Sequence, residues 1–311
     1  MGIIRAICIS ERRGTKKQEV LQAELKEKWG IVGDAHAGDW HRQVSLLSQE
    51  KIEAFRSKGA DVAYGDFGEN LVVEGFDLAA LPTGTRFKIG DAVLEVTQIG
   101  KECHSHCEIY QRMGDCIMPR EGIFARVLHG GRIEKGDEVV EIPTDGRRPY
   151  TAAVITLSDK GYAGKREDQS GPTAREMLLE DGYEVVEMFV LPDEQQMLEH
   201  ELERLADSRQ VQLILTTGGT GFSKRDITPE ATIAVCDRMA RGIAEAIRAY
   251  SMTITKRAML SRGEAVIRKG TLIVNLPGSP KAVREALEYI LPELKHGLGI
   301  LSGTEGECAR R

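Results

Sequence analysis

Thr216-Thr-Gly-Gly-Thr-Gly-Phe-Ser-Lys-Arg-Asp-Ile-Thr-Pro-Glu230 follows directly on the apolar run Val211-Gln-Leu-Ile-Leu215. A short apolar run of this kind reads as a strand buried on both faces. Thr228 and Pro229 then mark a helix start, the threonine as cap and the proline in the first turn. Gly218, Gly219 and Gly221 sit between the two, where a backbone free of side chains turns its amides toward an anion at no steric cost. Thr220 adds a hydroxyl donor. The stretch is neither a Walker loop, since no Gly-Lys-Ser/Thr closes it, nor the dinucleotide fingerprint, whose third glycine is missing. Taken alone it serves equally well as a plain turn, so its neighbours decide.

On both sides of this stretch, strands alternate with amphipathic helices, which calls for a largely parallel sheet covered by helices on both faces. Val154-Ile-Thr-Leu157 is the first strand, Tyr183 to Leu191 the second and Thr271-Leu-Ile-Val274 the fourth. Pro172 is expected at a first helical position, with Gly182 as the left-handed cap at that helix's end. Asp193 and Gln196 form an expected capping pair at the next helix. Asn275-Leu-Pro-Gly-Ser-Pro280 is a second strand-to-helix loop, capped by Ser279. Two such loops at strand C-termini define a crevice.

Residues 1–142 have a different rhythm. Short runs such as Leu71-Val-Val73, Arg86-Phe-Lys-Ile89 and Val93-Leu-Glu-Val-Thr97 lie between turn signals, the pattern of a β-barrel-like domain. One helix is expected there, from Gln49 to Lys58, capped by Ser48 and burying Ile52 and Phe55. Glu141-Ile-Pro-Thr-Asp-Gly-Arg-Arg-Pro-Tyr150 has two prolines and no apolar periodicity, and residues 143–150 are read as the linker. The fold class is therefore mixed: a barrel-like domain over residues 1–142 and an α/β domain over residues 151–311.

The 311 residues carry a net charge of −6, and neither half is basic, which argues against nucleic acid as a partner. No apolar run reaches the ~20 residues of a membrane span, and the N-terminus lacks a secretory pattern, so the expected location is cytoplasmic. Cys103, Cys107 and Cys116 cluster while Cys8, Cys236 and Cys308 are scattered, which is not a disulfide framework. Thiol chemistry, metal binding and burial all remain open for the cluster.

The stretch 216–231 and Asn275 to Pro280, together with Ser158-Asp159 and Pro192-Asp-Glu-Gln195, resemble the molybdopterin adenylyltransferase family over about residues 151–305. The resemblance implies ATP-dependent adenylylation of molybdopterin with magnesium, in molybdenum cofactor biosynthesis. It aligns Asp193 and Asp226 with the family's two functional aspartates, as catalytic groups and metal ligands. Ser158, Asp159, Thr217, Gly218, Gly219, Thr220, Gly221, Asn275, Gly278 and Ser279 become candidate nucleotide or pterin contacts. Asp226 fits a metal role on chemistry too, because a bare carboxylate beside a phosphate loop repels its ligand unless a cation intervenes.

Gly33-Asp-Ala-His36 with Gly38-Asp39, Asp66-Phe-Gly-Glu-Asn70 and Lys101-Glu-Cys103 resemble the MOSC family over about residues 1–142. That resemblance implies a barrel presenting a cysteine, here Cys103, to a molybdopterin-type cofactor, as sulfur carrier or binding group. Lys101, His104 and His106 favour its thiolate and Glu102 opposes it. Arg120 is a candidate for the cofactor phosphate. The loop of His36, Asp39 and His41 could suggest metal binding but reads as a turn and strand-register segment, since Gly33, Asp34, Gly38 and Asp39 are first of all turn formers. The rival readings are a zinc-stabilised first domain, built on Cys103, Cys107 and Cys116 with His104, His106 or His129, and a second domain that binds molybdopterin as a carrier or scaffold without turning it over. Expected partners are the pterin, ATP, and molybdoenzymes or other cofactor-assembly proteins. The resemblance also implies a homo-oligomer, a trimer built on the second domain.

Overall fold

The computed structural model describes residues 1–101, 108–143 and 148–303, and the chain forms two compact units, Met1–Arg147 and Arg148–Arg311. Among the described residues no helix is long and apolar enough to cross a membrane.

The first unit contains β1 (Gly2–Ile9), β2 (Gln18–Val20), β3 (Gln22–Lys26), β4 (Gly30–Ile31), β5 (Val44–Ser48), β6 (Leu71–Glu74), β7 (Arg86–Ile89), β8 (Ala92–Ile99), β9 (Ile123–His129), β10 (Gly131–Glu134) and β11 (Glu138–Ile142). Seven of them close a ring in the order β11-β7-β8-β9-β5-β6-β1, because β11 also pairs with β1 through Gly2↔Val139. Closure leaves no long unpaired edge in the ring. All its pairings are antiparallel except β5–β6, which is parallel and therefore needs a crossover. The crossover is α1 (Gln49–Arg56), where Ile52 and Phe55 are buried as expected. It stops two residues short of Lys58, and the Ser48 hydroxyl bonds the Glu50 carboxylate instead of a helix amide.

A register shift between Ile4 and Ala6 sends Ile4 and Ile7 to the barrel interior, although three residues apart they would face opposite ways in a regular strand. The same shift turns Ala6 and Cys8 outward, under α1 and Phe67. Two further short helices, α2 (Glu108–Met113) and α3 (Met118–Glu121), contribute Ile109 and Met118 to that outer layer.

Lys17, Asp34 and Glu69 are buried ionisable groups of this unit. Lys17 and Asp34 are almost fully enclosed and meet at 2.5 Å, and Asp34 also accepts from the amides of Ser10 and His36. Asp34, in the first MOSC-like motif, is thus committed to the fold. Glu69 is fully buried; its Oε1 accepts from the Gly65 amide at 2.7 Å, while Oε2 lacks a hydrogen-bond partner among the described residues. Burial pushes its carboxyl from an ordinary 4.5 up to about 7. A raised folded pKa favours the protonated form, so Glu69's contribution to stability is greatest below about pH 4.5 and is lost as pH rises toward 7. Glu69→Gln is therefore expected to stabilise the unit by up to ~3 kcal/mol above pH 7 and to change little at pH 4.5. Urea unfolding across that range checks it; an equal effect at both ends would show that the carboxyl does not titrate there.

The second unit contains β12 (Thr151–Leu157), β13 (Glu184–Leu191), β14 (Leu213–Thr217), β15 (Arg238–Met239), β16 (Ala265–Arg268) and β17 (Thr271–Leu276), ordered β13-β12-β14-β17-β16-β15. The first four are parallel, and β16 and β15 extend the sheet antiparallel. β12 leads into the one-turn helix α4 (Asp159–Tyr162), and neighbouring residues of β12 split between two cores. Ala152 and Val154 pack with α5 (Ser170–Glu180), α8 (Arg241–Ile254) and α9 (Pro280–Leu301), while Ala153 and Ile155 pack with α6 (Gln195–Glu203) and α7 (Thr228–Ala234). A sheet covered on both faces demands the near-continuous apolar runs seen in the sequence.

Three helix starts differ from expectation. Asp168 accepts from the amides of Ser170 and Gly171, so α5 begins two residues before Pro172. Gly182 does take the left-handed conformation after it. Asp193 is not the cap of α6, which starts at Gln195 with no side-chain cap, because its carboxylate has been claimed by another amide. Thr228 is the first residue of α7, and its hydroxyl donates backward to the Gly218 carbonyl at 2.9 Å. Ser279 caps α9 as expected, accepting from Ala282 N.

Candidate active site

The glycine loop begins where β14 ends, at the carboxyl edge of the parallel strands. Gly218 and Gly219 both have positive φ, 92° and 63°. A β-carbon on Gly218 would lie 2.5 Å from the Leu157 carbonyl, and one on Gly219 would lie 2.4 Å from the Thr228 hydroxyl. Thr228 pins the loop from below with two bonds, its hydroxyl to Gly218 O and its amide to Gly219 O at 3.1 Å. Among the described residues the amides of Gly219, Thr220 and Gly221 have no protein acceptor. Such amides are donors held ready for an anion.

Both aspartates lie against this loop. The β-carbon position of Gly219 is 3.2 Å from Asp193 Oδ1, and that of Gly221 is 2.9 Å from Asp226 Oδ2. Asp226 Oδ2 accepts from Ser223 N at 2.8 Å, which folds the turn 223–226 back on itself. Asp193 and Asp159 clasp each other across two loops: Asp159 N donates to Asp193 Oδ2 at 3.0 Å and Asp193 N to Asp159 Oδ1 at 3.1 Å. Burial raises the Asp193 carboxyl, and the charges of Asp159 and Asp226 push the same way against Arg225. The Asp159 carboxyl is held low, chiefly by its bonds from Arg225. A site with clustered carboxylates of this kind favours the arrival of a cation. Among the described residues no three His, Cys, Asp or Glu side chains form a ready-made metal cage. Two carboxylates and ligand oxygens are the pattern for magnesium, which is seldom held by an all-protein cage.

A cavity of about 440 Å³ opens beside the loop. Gly218, Gly219, Thr220, Gly221, Asp226 and Gly278 form one wall. Close packing of the two loops explains Gly278, whose β-carbon would lie 3.2 Å from Gly218 Cα. The cavity is also lined by α8 and the segment after it, whose polar groups there are Arg248, Ser251, Thr255, Arg257 and Ser261. These five were missed from the sequence. Their signal was the cationic and hydroxyl-rich stretch from Arg248 to Arg262, which lacks the glycines that draw attention to a loop.

Other candidates have roles inside the fold. Asn275 donates to the hydroxyls of Thr216 and Thr232, both at 2.9 Å, and accepts from Glu264 N, so its amide is spent on cross-linking strands. Thr217 donates to Pro277 O at 2.7 Å, and Ser158 Oγ accepts from Gly161 N and Arg166. Ser279 caps α9.

In the first unit Arg120 is engaged by Asp115 through two bonds, of 2.9 and 3.0 Å. His36 touches Lys17 through Nδ1, and His41 meets Gln98 at 2.9 Å. Cys103, His104, His106 and Cys107 lie outside the described residues, and Cys116 is buried.

A family profile described as "Probable molybdopterin binding domain" matches residues 153–296, and a MOSC domain profile matches residues 33–140. The molybdopterin adenylyltransferase of Helicobacter pylori is 40% identical over 152 residues, covering 48% of this chain and 86% of that protein. Those of Haemophilus influenzae and Escherichia coli are 45% and 43% identical over 140 residues, each covering 44% of this chain and 71% of the relative.

Proposed function

Because the chain belongs, through its second unit, to the molybdopterin adenylyltransferase family, we propose that this unit transfers the adenylyl group of ATP to molybdopterin in molybdenum cofactor biosynthesis. The observation that carries the reading is the glycine loop with its unclaimed amides, flanked by Asp193 and Asp226 at the mouth of a cavity.

The terminal phosphate oxygen of molybdopterin attacks the α-phosphorus of ATP; the new P–O bond forms as the bond to pyrophosphate breaks. Little covalent chemistry is asked of the protein, so positioning and charge dominate. Gly219, Thr220 and Gly221 orient phosphate oxygens through their amides. Thr228 keeps those amides in place. Asp193 and Asp226 would hold magnesium, which supplies neutralisation of the triphosphate's charge. The cavity wall of Arg248, Ser251, Arg257 and Ser261 offers a cationic, hydroxyl-lined face to the second substrate. The MOSC domain supplies a separate cofactor-handling function through Cys103, and tethering the two raises the local concentration of a shared intermediate.

Pyrophosphate release from ATP on addition of molybdopterin tests the assignment, and binding without release would instead make the unit a carrier. A chain beginning at Arg148 is expected to release pyrophosphate within about twofold of the full-length rate, since each unit has its own core. Cys103→Ser in the full chain is expected to leave that rate unaltered. A folded but inactive second unit would mean that the first contributes to the same site.

A further inference from the structure

Arg225 stands among the carboxylates of the site. Its Nε and Nη2 bond the two oxygens of Asp159 at 3.0 and 2.8 Å, and its Nη1 lies 2.8 Å from Glu194 Oε1. Asp159 follows β12, Glu194 follows β13 and Arg225 follows β14. One guanidinium thus ties three successive strand-end loops together, one residue before Asp226. Asp159 in turn donates its amide to Asp193 Oδ2, so the guanidinium is a single residue removed from the Asp193 carboxylate.

The ion pair is about half exposed on both sides. Exposed pairs of that kind contribute little to stability, too little for a strut yet suitable for a partner that must leave. A planar fork of five donors fits phosphate as well as carboxylate.

We propose that Arg225 is the resident counter-ion of this site, exchanged for the divalent cation when metal and triphosphate arrive together, and thereafter paired with the phosphates. The inference rests on the adenylyltransferase reading for its ligand. With Arg225 in place, the loops resist a metal ion arriving alone; the triphosphate supplies a new partner for the guanidinium and so makes the exchange possible. Asp159 and Glu194 are released from the guanidinium in the same event.

The test is a manganese(II) titration of the full chain without nucleotide, followed by calorimetry, in the parent, Arg225→Gln, Arg225→Lys and Arg284→Gln. Arg284, which pairs with Glu176 between α9 and α5 and bonds neither aspartate, controls for the loss of one positive charge. Arg225→Gln is expected to bind manganese roughly 3- to 10-fold more tightly than the parent, the effect of removing one nearby charge. Arg225→Lys and Arg284→Gln should stay within about twofold of the parent. In the adenylylation assay Arg225→Gln should raise KM for ATP about tenfold, the scale of one lost charge-assisted phosphate contact. Unchanged or weaker manganese binding by Arg225→Gln, with circular dichroism unaltered, would make Arg225 a structural tie and overturn the proposal. If the parent itself released no pyrophosphate, the adenylyltransferase reading would fail while the manganese comparison still judged the counter-ion.

Discussion

Gly219→Val is expected to reduce nucleotide affinity by at least ~100-fold while the second unit remains folded. Two costs coincide at this residue. Its φ of 63° is a left-handed conformation that carries a penalty of ~1–2 kcal/mol for a residue with a β-carbon, and a branched one is worse. The added carbon also meets the Thr228 hydroxyl at 2.4 Å and Asp193 Oδ1 at 3.2 Å. Thr228 is buried and cannot retreat without surrendering its bonds to Gly218 O and Gly219 O, so the loop must move instead. Displacing it turns the amides of Gly219 and Thr220 away from the anion and shifts Asp193 at the same time. Gly242→Val is the contrast, because Gly242 has nothing within 4 Å of its β-carbon position and does not line the cavity. Equilibrium titration with ATP measures the loss, and circular dichroism establishes that the unit is intact. Wild-type affinity in Gly219→Val would show that the loop is a turn with no ligand.

How the glycine loop came to be legible in the sequence, while the carboxylate clasp did not, follows from the range of the forces involved. Gly218 and Gly219 are required by backbone conformation, and the apolar run ahead of them by burial on both sheet faces; both are local and leave local traces. The same holds for Ser279 before Pro280. The bond between Asp159 and Asp193 joins residues 34 positions apart, and nothing near either one records it. Asp193 therefore read as a helix cap, a role its position allowed, until the stronger claim of Asp159 N became visible. Asn275 shows the converse. A polar residue at a strand end reads as a ligand contact, yet Thr216 and Thr232 had taken its donors. The strands β15 and β16 have only two and four residues, too brief for a period-two pattern to stand out.

In the first unit the barrel was legible as a rhythm of strands and turns, but its closure was not. Pairing of β11 with β1 joins the two ends of the unit, and the bulge at Ile4–Ala6 breaks the alternation by which a strand's faces are read. Asp34 looked like a turn former. It is one, through its bond from His36 N, and it is also the buried counter-charge of Lys17.

Asp226→Asn is expected to lower the rate of pyrophosphate release by at least ~100-fold at saturating magnesium, with the unfolding midpoint little changed, because catalysis here depends on charge placed where the triphosphate's charge develops. The substitution keeps volume and shape. An asparagine oxygen can still accept from Ser223 N, so the turn 223–226 that carries Asp226 along the glycine loop should persist. What disappears is one of the two carboxylates proposed to hold magnesium, leaving Asp193 across the loop as a single anionic ligand, a site too weakly charged to fix the metal against the phosphates. The signature should lie in the metal dependence: a higher magnesium concentration for half-maximal rate as well as a lower ceiling. Asp159→Asn, which removes a partner of Arg225 and not a proposed metal ligand, should move the ceiling less. Full turnover by Asp226→Asn at ordinary magnesium would remove this aspartate from the chemistry and leave the glycine loop to be explained by binding alone.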